Sequence, residues 1–205
     1  ILMPGVQHMR HTHLPEHKFI SGQPETGADL ADDLERIATN FGPENIAACI
    51  VEPIAGSTGT LVPPKGYLQK LRETCDKHGI LLIFDEVITG WGRTGSAFAS
   101  QEFNVTPDII TMAKATTNGV VPMGVVACKD EIYDAVMDAS PMGSVELFHG
   151  YTYSGIPVAV AAALAVQDIF EKEDIFERAK NLAPYFQKGL FSLQDLEAVD
   201  NIRGY

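Results

Sequence analysis

Residues 79–119 read GILLIFDEVITGWGRTGSAFASQEFNVTPDIITMAKATTNG, and this stretch decides the fold. It holds two short apolar runs, Ile80–Phe84 and Ile109–Ala113, each ending on one ionisable residue, Asp85 and Lys114. Apolar runs of this length bounded by turn signals predict strands buried on both faces of a parallel sheet, and such sheets place ligands at the carboxyl ends of their strands. An acid and an amine are therefore expected to face one pocket. A buried carboxylate suits a partner that stays cationic, and a lysine shielded from water loses its proton readily enough to attack a carbonyl. The alternative is structural, with Asp85 capping a turn and Lys114 a solvated side chain at a strand end.

Working outward, Ile46–Val51 (IAACIV) predicts a first buried strand, stopped by Glu52 and Pro53. Gly66–His78 repeats Leu68, Leu71 and Cys75 at helical spacing before Gly79 ends it. Upstream, Ala28–Phe41 is acidic at its start and carries Leu30, Leu34, Ile37 and Phe41 on one helical face. Downstream, Gly124–Cys128 is another strand-like run, Glu131–Met137 a short helix and 138–144 a loop. Val158–Phe170 is so rich in Ala, Val and Leu that a helix buried nearly all round is expected. Glu171–Leu196 predicts a further helical stretch interrupted near Pro184. The alternation of strands and helices is that of a wound α/β sheet with helical covers, in one domain.

Composition narrows the partners. The 205 residues carry a net charge of −12, with 45% apolar and 20% charged residues. That balance argues against nucleic acid or an anionic membrane surface, both of which call for clustered Lys and Arg. No apolar run reaches the ~18 residues of a membrane span. Cys49, Cys75 and Cys128 lie far apart without a C-x-x-C spacing, so neither a disulfide framework nor a zinc site is indicated and a reducing cytoplasm fits. His8, His11, His13 and His17 sit in a turn-rich start that reads as a surface loop, since no carboxylate or cysteine completes a metal-ligand spacing. The start ILMPGV and the end NIRGY suggest an interior piece of a longer protein.

The D-E-V-x-x-G-W-G-R-T-G run, the P-D before the second strand and the A-K-x-x-x-N-G after it stand in one order at one spacing. Together they resemble the signature of the class III (subgroup II) pyridoxal-phosphate aminotransferases, and the wording VEPIAGSTGTLVPPKGYLQKLRETCDKHGILLIFDEVITGWGRTG is most similar to the ω-amino acid–pyruvate branch. The resemblance implies part of the large domain of a fold-type I pyridoxal-phosphate enzyme, residues 1–205, with 171–205 leading toward a smaller C-terminal domain. It implies that Lys114 joins the aldehyde of pyridoxal 5′-phosphate and later moves the substrate proton. It implies that Asp85 pairs with the ring nitrogen and keeps it protonated. Val87 then packs on one face of the ring and Glu52 lies beside the cofactor, although Glu52 reads equally well as a structural turn acid. Thr152, in H-G-Y-T-Y-S-G, matches the threonine that reaches the phosphate of a neighbouring subunit's cofactor, which implies a homodimer; without the family, an ST-turn ahead of a helix is the preferred reading.

Two departures point within the class. Ile88 stands where the γ-aminobutyrate, ornithine and dialkylglycine branches usually carry a glutamine, and Ser57 where the first two carry a glutamate. The phosphate loop, the ring-stacking aromatic and the arginine for the substrate carboxylate are expected outside these residues. The implied activity is transfer of an amino group from an ω-amino acid or amine to a keto acid, with pyruvate the expected acceptor. An aminomutase of the same fold, or an inactive fold fragment, are the alternatives.

Overall fold

The computed structural model describes residues 4–141 and 152–205. Its centre is a four-stranded sheet in the order β1 (Ala48–Val51), β2 (Leu81–Asp85), β3 (Ile109–Met112) and β4 (Val125–Cys128). The first three strands are parallel, with Val51 beside Phe84 and Phe84 beside Ile110, while β4 runs back antiparallel along β3. Helices α1 (Asp32–Phe41) and α2 (Tyr67–His78) precede and join the first two strands. A short α3 (Ala99–Glu102), then α4 (Asp130–Ala139), α5 (Pro157–Lys172) and α6 (Ile175–Phe191) complete the helices of the described residues.

Alternate residues of a strand face opposite sides of its sheet, so Leu82 and Phe84 of β2 share a face with Cys49 of β1. That face is fully buried against Leu30, Leu34, Leu68, Leu71 and Cys75 from α1, α2 and the turn before α1. The other face is open at Ile50 (60% exposed) and Val126 (69% exposed), so the expectation of burial on both faces holds for only one of them among the described residues. The helices that precede and follow β1 both pack from the same side, and an apolar run alone does not reveal which side is covered.

Four further expectations change. In α5 only the stripe Ala159, Ala163 and Val166 is buried, whereas Val158, Leu164 and Ile169 are exposed, so the helix is one-sided and not buried all round. Helix α6 runs unbroken through Pro184. A proline forfeits one ladder bond, and the break falls instead at Asp174, whose backbone is left-handed with φ of 50°. His17 is 3% exposed, inside a 3-10 turn where its Nδ1 accepts the N–H of Leu14 at 3.3 Å, so this histidine is not on the surface. The expected loop at 138–144 begins later, because Asp138 and Ala139 belong to α4; its end lies outside the described residues.

Asp108, just ahead of β3, ties the layers together. Its carboxylate accepts the Leu82 N–H at 2.7 Å, Arg72 of α2 at 2.8 Å and Lys129 before α4 at 2.7 Å. Burial pushes this carboxyl up, but the bonds from Lys129, Leu82 and Arg72 together hold it below the usual range. Asp108→Ala strands a buried N–H and a half-buried guanidinium, and removing one member of such a pair costs about 3–5 kcal/mol. Urea unfolding is expected to show a loss of that size; a change below about 1 kcal/mol, typical of a surface pair, would contradict this role.

Candidate active site

Because β1, β2 and β3 are parallel and in register, the residues that follow them leave at one edge of the sheet. Glu52 follows β1, Asp85 is the last residue of β2, and Lys114 comes two residues after β3. The acid and the amine expected to converge therefore stand at neighbouring carboxyl ends. The two acids, Asp85 and Glu52, also show part of the structural alternative. Asp85 Oδ1 accepts the Val87 N–H at 3.0 Å, an Asx-type turn that leaves Val87 half-buried. Glu52 Oε2 accepts the Gly56 N–H at 2.9 Å and closes its own loop.

Asp85 and Lys114 are not consumed by the ion pairs that hold several other charges of the fold. Asp33 is held by Arg10 and Arg36, Glu35 by Lys77 and His78, and Asp108 by Arg72 and Lys129. Among the described residues, Lys114 makes no ion pair, and the Val87 contact is the only hydrogen bond to the Asp85 carboxylate. Lys114 is exposed, so the expected shielding from water is not present among the described residues, and its backbone is left-handed, with φ of 46°. A lysine in that region costs on the order of 1–3 kcal/mol and persists only where the surroundings enforce it, a pattern that concentrates at functional sites. Here a 3-10 turn enforces it: Thr116 N–H donates to Ala113 at 3.1 Å and Gly119 N–H to Lys114 at 3.2 Å.

The loop after β2 is equally constrained. Glu86, absent from the sequence-based candidates, is fully buried; its carboxylate accepts the N–H groups of Ala99 (2.6 Å) and Ser100 (2.9 Å) and the Thr89 hydroxyl (3.1 Å). It pins the start of α3 to the residue beside Asp85, over a separation of 13 positions that no local pattern reveals. Gly90 leaves no room for a side chain, since a Cβ there would lie 2.8 Å from the Glu86 carbonyl oxygen. Ile88 lies over Gly56, where a Cβ would come within 2.5 Å of Ile88 Cδ1, so the β1 and β2 loops touch at the position that departs from the other branches.

Thr152 is exposed in the turn ahead of α5 and makes no hydrogen bond among the described residues. A cavity of about 640 Å³ lies elsewhere, between Thr94, Glu102, Lys180, Phe191 and Tyr205, and Asp85 and Lys114 do not line it. Among the described residues no cluster of three metal-ligating side chains forms, and no helix is long and apolar enough to cross a membrane.

The largely parallel α/β sheet is of the wound-sheet class, and it carries Asp85 and Lys114 at the strand ends where such sheets bind ligands. The chain belongs to the class III aminotransferases, whose family model matches residues 2–205. It is 56% identical over 203 residues to an omega-aminotransferase of Caulobacter vibrioides, covering 98% of this chain and 46% of that protein. It is 50% identical over 200 residues to a β-alanine–pyruvate aminotransferase of Pseudomonas aeruginosa, covering 97% of this chain and 45% of the relative. Among solved structures, an (S)-enantioselective omega-transaminase from Thermomicrobium roseum superposes with a TM-score of 0.81 at 44% identity, over 86% of this chain and 39% of that one. The resemblance to this class and the α/β, fold-type I architecture read from the sequence are thus met. The chain spans just under half the length of these curated relatives.

Proposed function

We propose that the protein containing this chain is a pyridoxal 5′-phosphate-dependent transaminase that moves an amino group from an ω-amino acid or amine to a keto acid, with pyruvate as acceptor. The observation that carries the reading is the pairing of Asp85 and Lys114 at neighbouring strand ends, both unused by the ion pairs of the fold. The names of the relatives support the acceptor and the ω-amine class.

The residues present fit the cofactor on chemical grounds. Asp85 offers a carboxylate oxygen for a cationic ring nitrogen, and its other oxygen is oriented by the Val87 N–H. Lys114 offers an amine that the fold leaves uncommitted, for covalent attachment and for carrying a proton. When bound, pyridoxal phosphate supplies an electron-withdrawing ring that makes a proton beside the amino nitrogen removable. Val87 would pack against the ring, Glu52, its loop closed by Gly56, would lie beside it, and Thr152 would reach the phosphate of the cofactor in a second subunit of a homodimer. Residues 1–205 form part of the large cofactor-binding domain and 171–205 lead toward a smaller C-terminal domain. We assign the enzyme to the cytoplasm, in keeping with its unpaired cysteines.

The full-length enzyme, supplied with pyridoxal phosphate, β-alanine and pyruvate, is expected to form free L-alanine. Return of the amino group to the same carbon skeleton would make it an aminomutase, and no product from any ω-amine would overturn the proposal.

A further inference from the structure

Two chain segments far apart in sequence meet beside Lys114 through one side chain. The indole Nε1–H of Trp91, from the loop that follows Asp85, donates to the Thr116 hydroxyl at 2.9 Å. That hydroxyl donates onward to the Ala113 carbonyl at 3.1 Å, and Ala113 is the residue immediately before Lys114. Thr116 is 3% exposed and its own N–H also donates to Ala113, so the turn that forces Lys114 to a φ of 46° is clamped from within and from Trp91. Trp91 is itself held firmly. Its ring lies 5.1 Å from that of Phe98 and 6.2 Å from that of Phe170 on α5, and its backbone N–H donates to the Ala97 carbonyl at 2.6 Å. The relay indole N–H, threonine O–H, alanine C=O thus connects the loop carrying Asp85 to the turn carrying Lys114.

We propose that Trp91 is a positioning residue that acts through Thr116 to hold Lys114 in its left-handed conformation and so aim the amine toward the edge where Asp85 stands. The proposal rests on the reading of Lys114 as the reactive amine. A hydrogen-bond relay of this kind gives direction: each donor has one acceptor, and losing the indole N–H leaves the threonine hydroxyl free to rotate and the turn free to relax. Small displacements of a reacting group cost large factors in rate, because alignment is what a fixed site supplies. A phenylalanine at position 91 keeps an aromatic ring toward Phe98 and Phe170 and removes the donor together with part of the ring, so Thr116→Val, which leaves the indole in place, is the second test. Thr116→Val removes the relay at nearly constant volume, and Thr116→Ser restores the hydroxyl.

The test uses the full-length enzyme and two readouts. One is the rate at which the cofactor-free enzyme develops the absorbance band of bound cofactor on mixing with pyridoxal phosphate; the other is kcat and KM for an ω-amine. Trp91→Phe and Thr116→Val are each expected to slow both the spectral step and kcat about ten-fold. The KM should stay near wild type, while the melting temperature falls only modestly, because Thr116→Val leaves the indole N–H without its acceptor. The double variant should be no slower than either single one, because both break the same relay, and Thr116→Ser should recover most of the rate. Losses that multiply in the double variant, or that follow the melting temperature alone, would overturn the proposal. So would singles indistinguishable from an active wild type. A wild-type enzyme that develops no such band would count against the cofactor reading itself, a different failure from unaltered rates in the variants.

Discussion

Lys114→Ala in the full-length enzyme is expected to abolish turnover by several powers of ten while cofactor binding persists. Each power of ten corresponds to about 1.4 kcal/mol of barrier. The loss is large because one amine is asked both to hold the cofactor and to carry the proton, and among the described residues no other lysine closely follows a parallel strand. Lys129 also follows a strand, but β4 is antiparallel, so Lys129 emerges at the opposite end of the sheet, where it is paired with Asp108 at 2.7 Å. Steady-state kinetics beside cofactor titration checks this. Turnover within ten-fold of wild type would show that the base lies elsewhere.

Asp85→Asn has the second-largest expected effect and a different signature. The amide keeps the size of the side chain and an oxygen that can accept the Val87 N–H, so the turn after β2 is retained. What it loses is the negative charge opposite a cationic ring nitrogen. Asp85 is only partly exposed, so that charge is screened less than it would be in water. The charge matters most when the substrate proton departs, so the single-turnover rate with an ω-amine should fall much more than cofactor affinity. An unchanged rate with collapsed affinity would make Asp85 an anchor and remove its electronic role.

The parallel part of the sheet was legible because β2 and β3 announce themselves as short apolar runs, each stopped by an ionisable residue. Reading which charges matter was harder. The sequence placed Asp85, Lys114 and Glu52 at or just past strand ends, where the structure has them, and the family resemblance added proposed roles that spacing alone does not contain. Glu86 was hidden in plain view beside Asp85, because its partners Ala99 and Ser100 come from a helix whose approach depends on the glycine-rich loop between. Trp91 and Thr116 were hidden for the same reason: their contact spans 25 positions, and nothing in the G-W-G-R-T-G run points to Thr116. The helices misled where composition stood in for environment. The Ala-rich α5 was expected to be enclosed, yet one stripe of small residues is buried and its larger side chains face outward. Pro184 was expected to break a helix, whereas the left-handed Asp174 is where the chain turns.

The central claim is that Lys114 is the amine that takes the cofactor, and reductive trapping addresses it without relying on turnover. The full-length protein loaded with pyridoxal phosphate would be reduced with borohydride, digested and mapped by mass. The account predicts the cofactor's added mass on the peptide containing Lys114 and on no other lysine. Label on a different lysine, or none in a protein that shows the bound-cofactor absorbance, would contradict it.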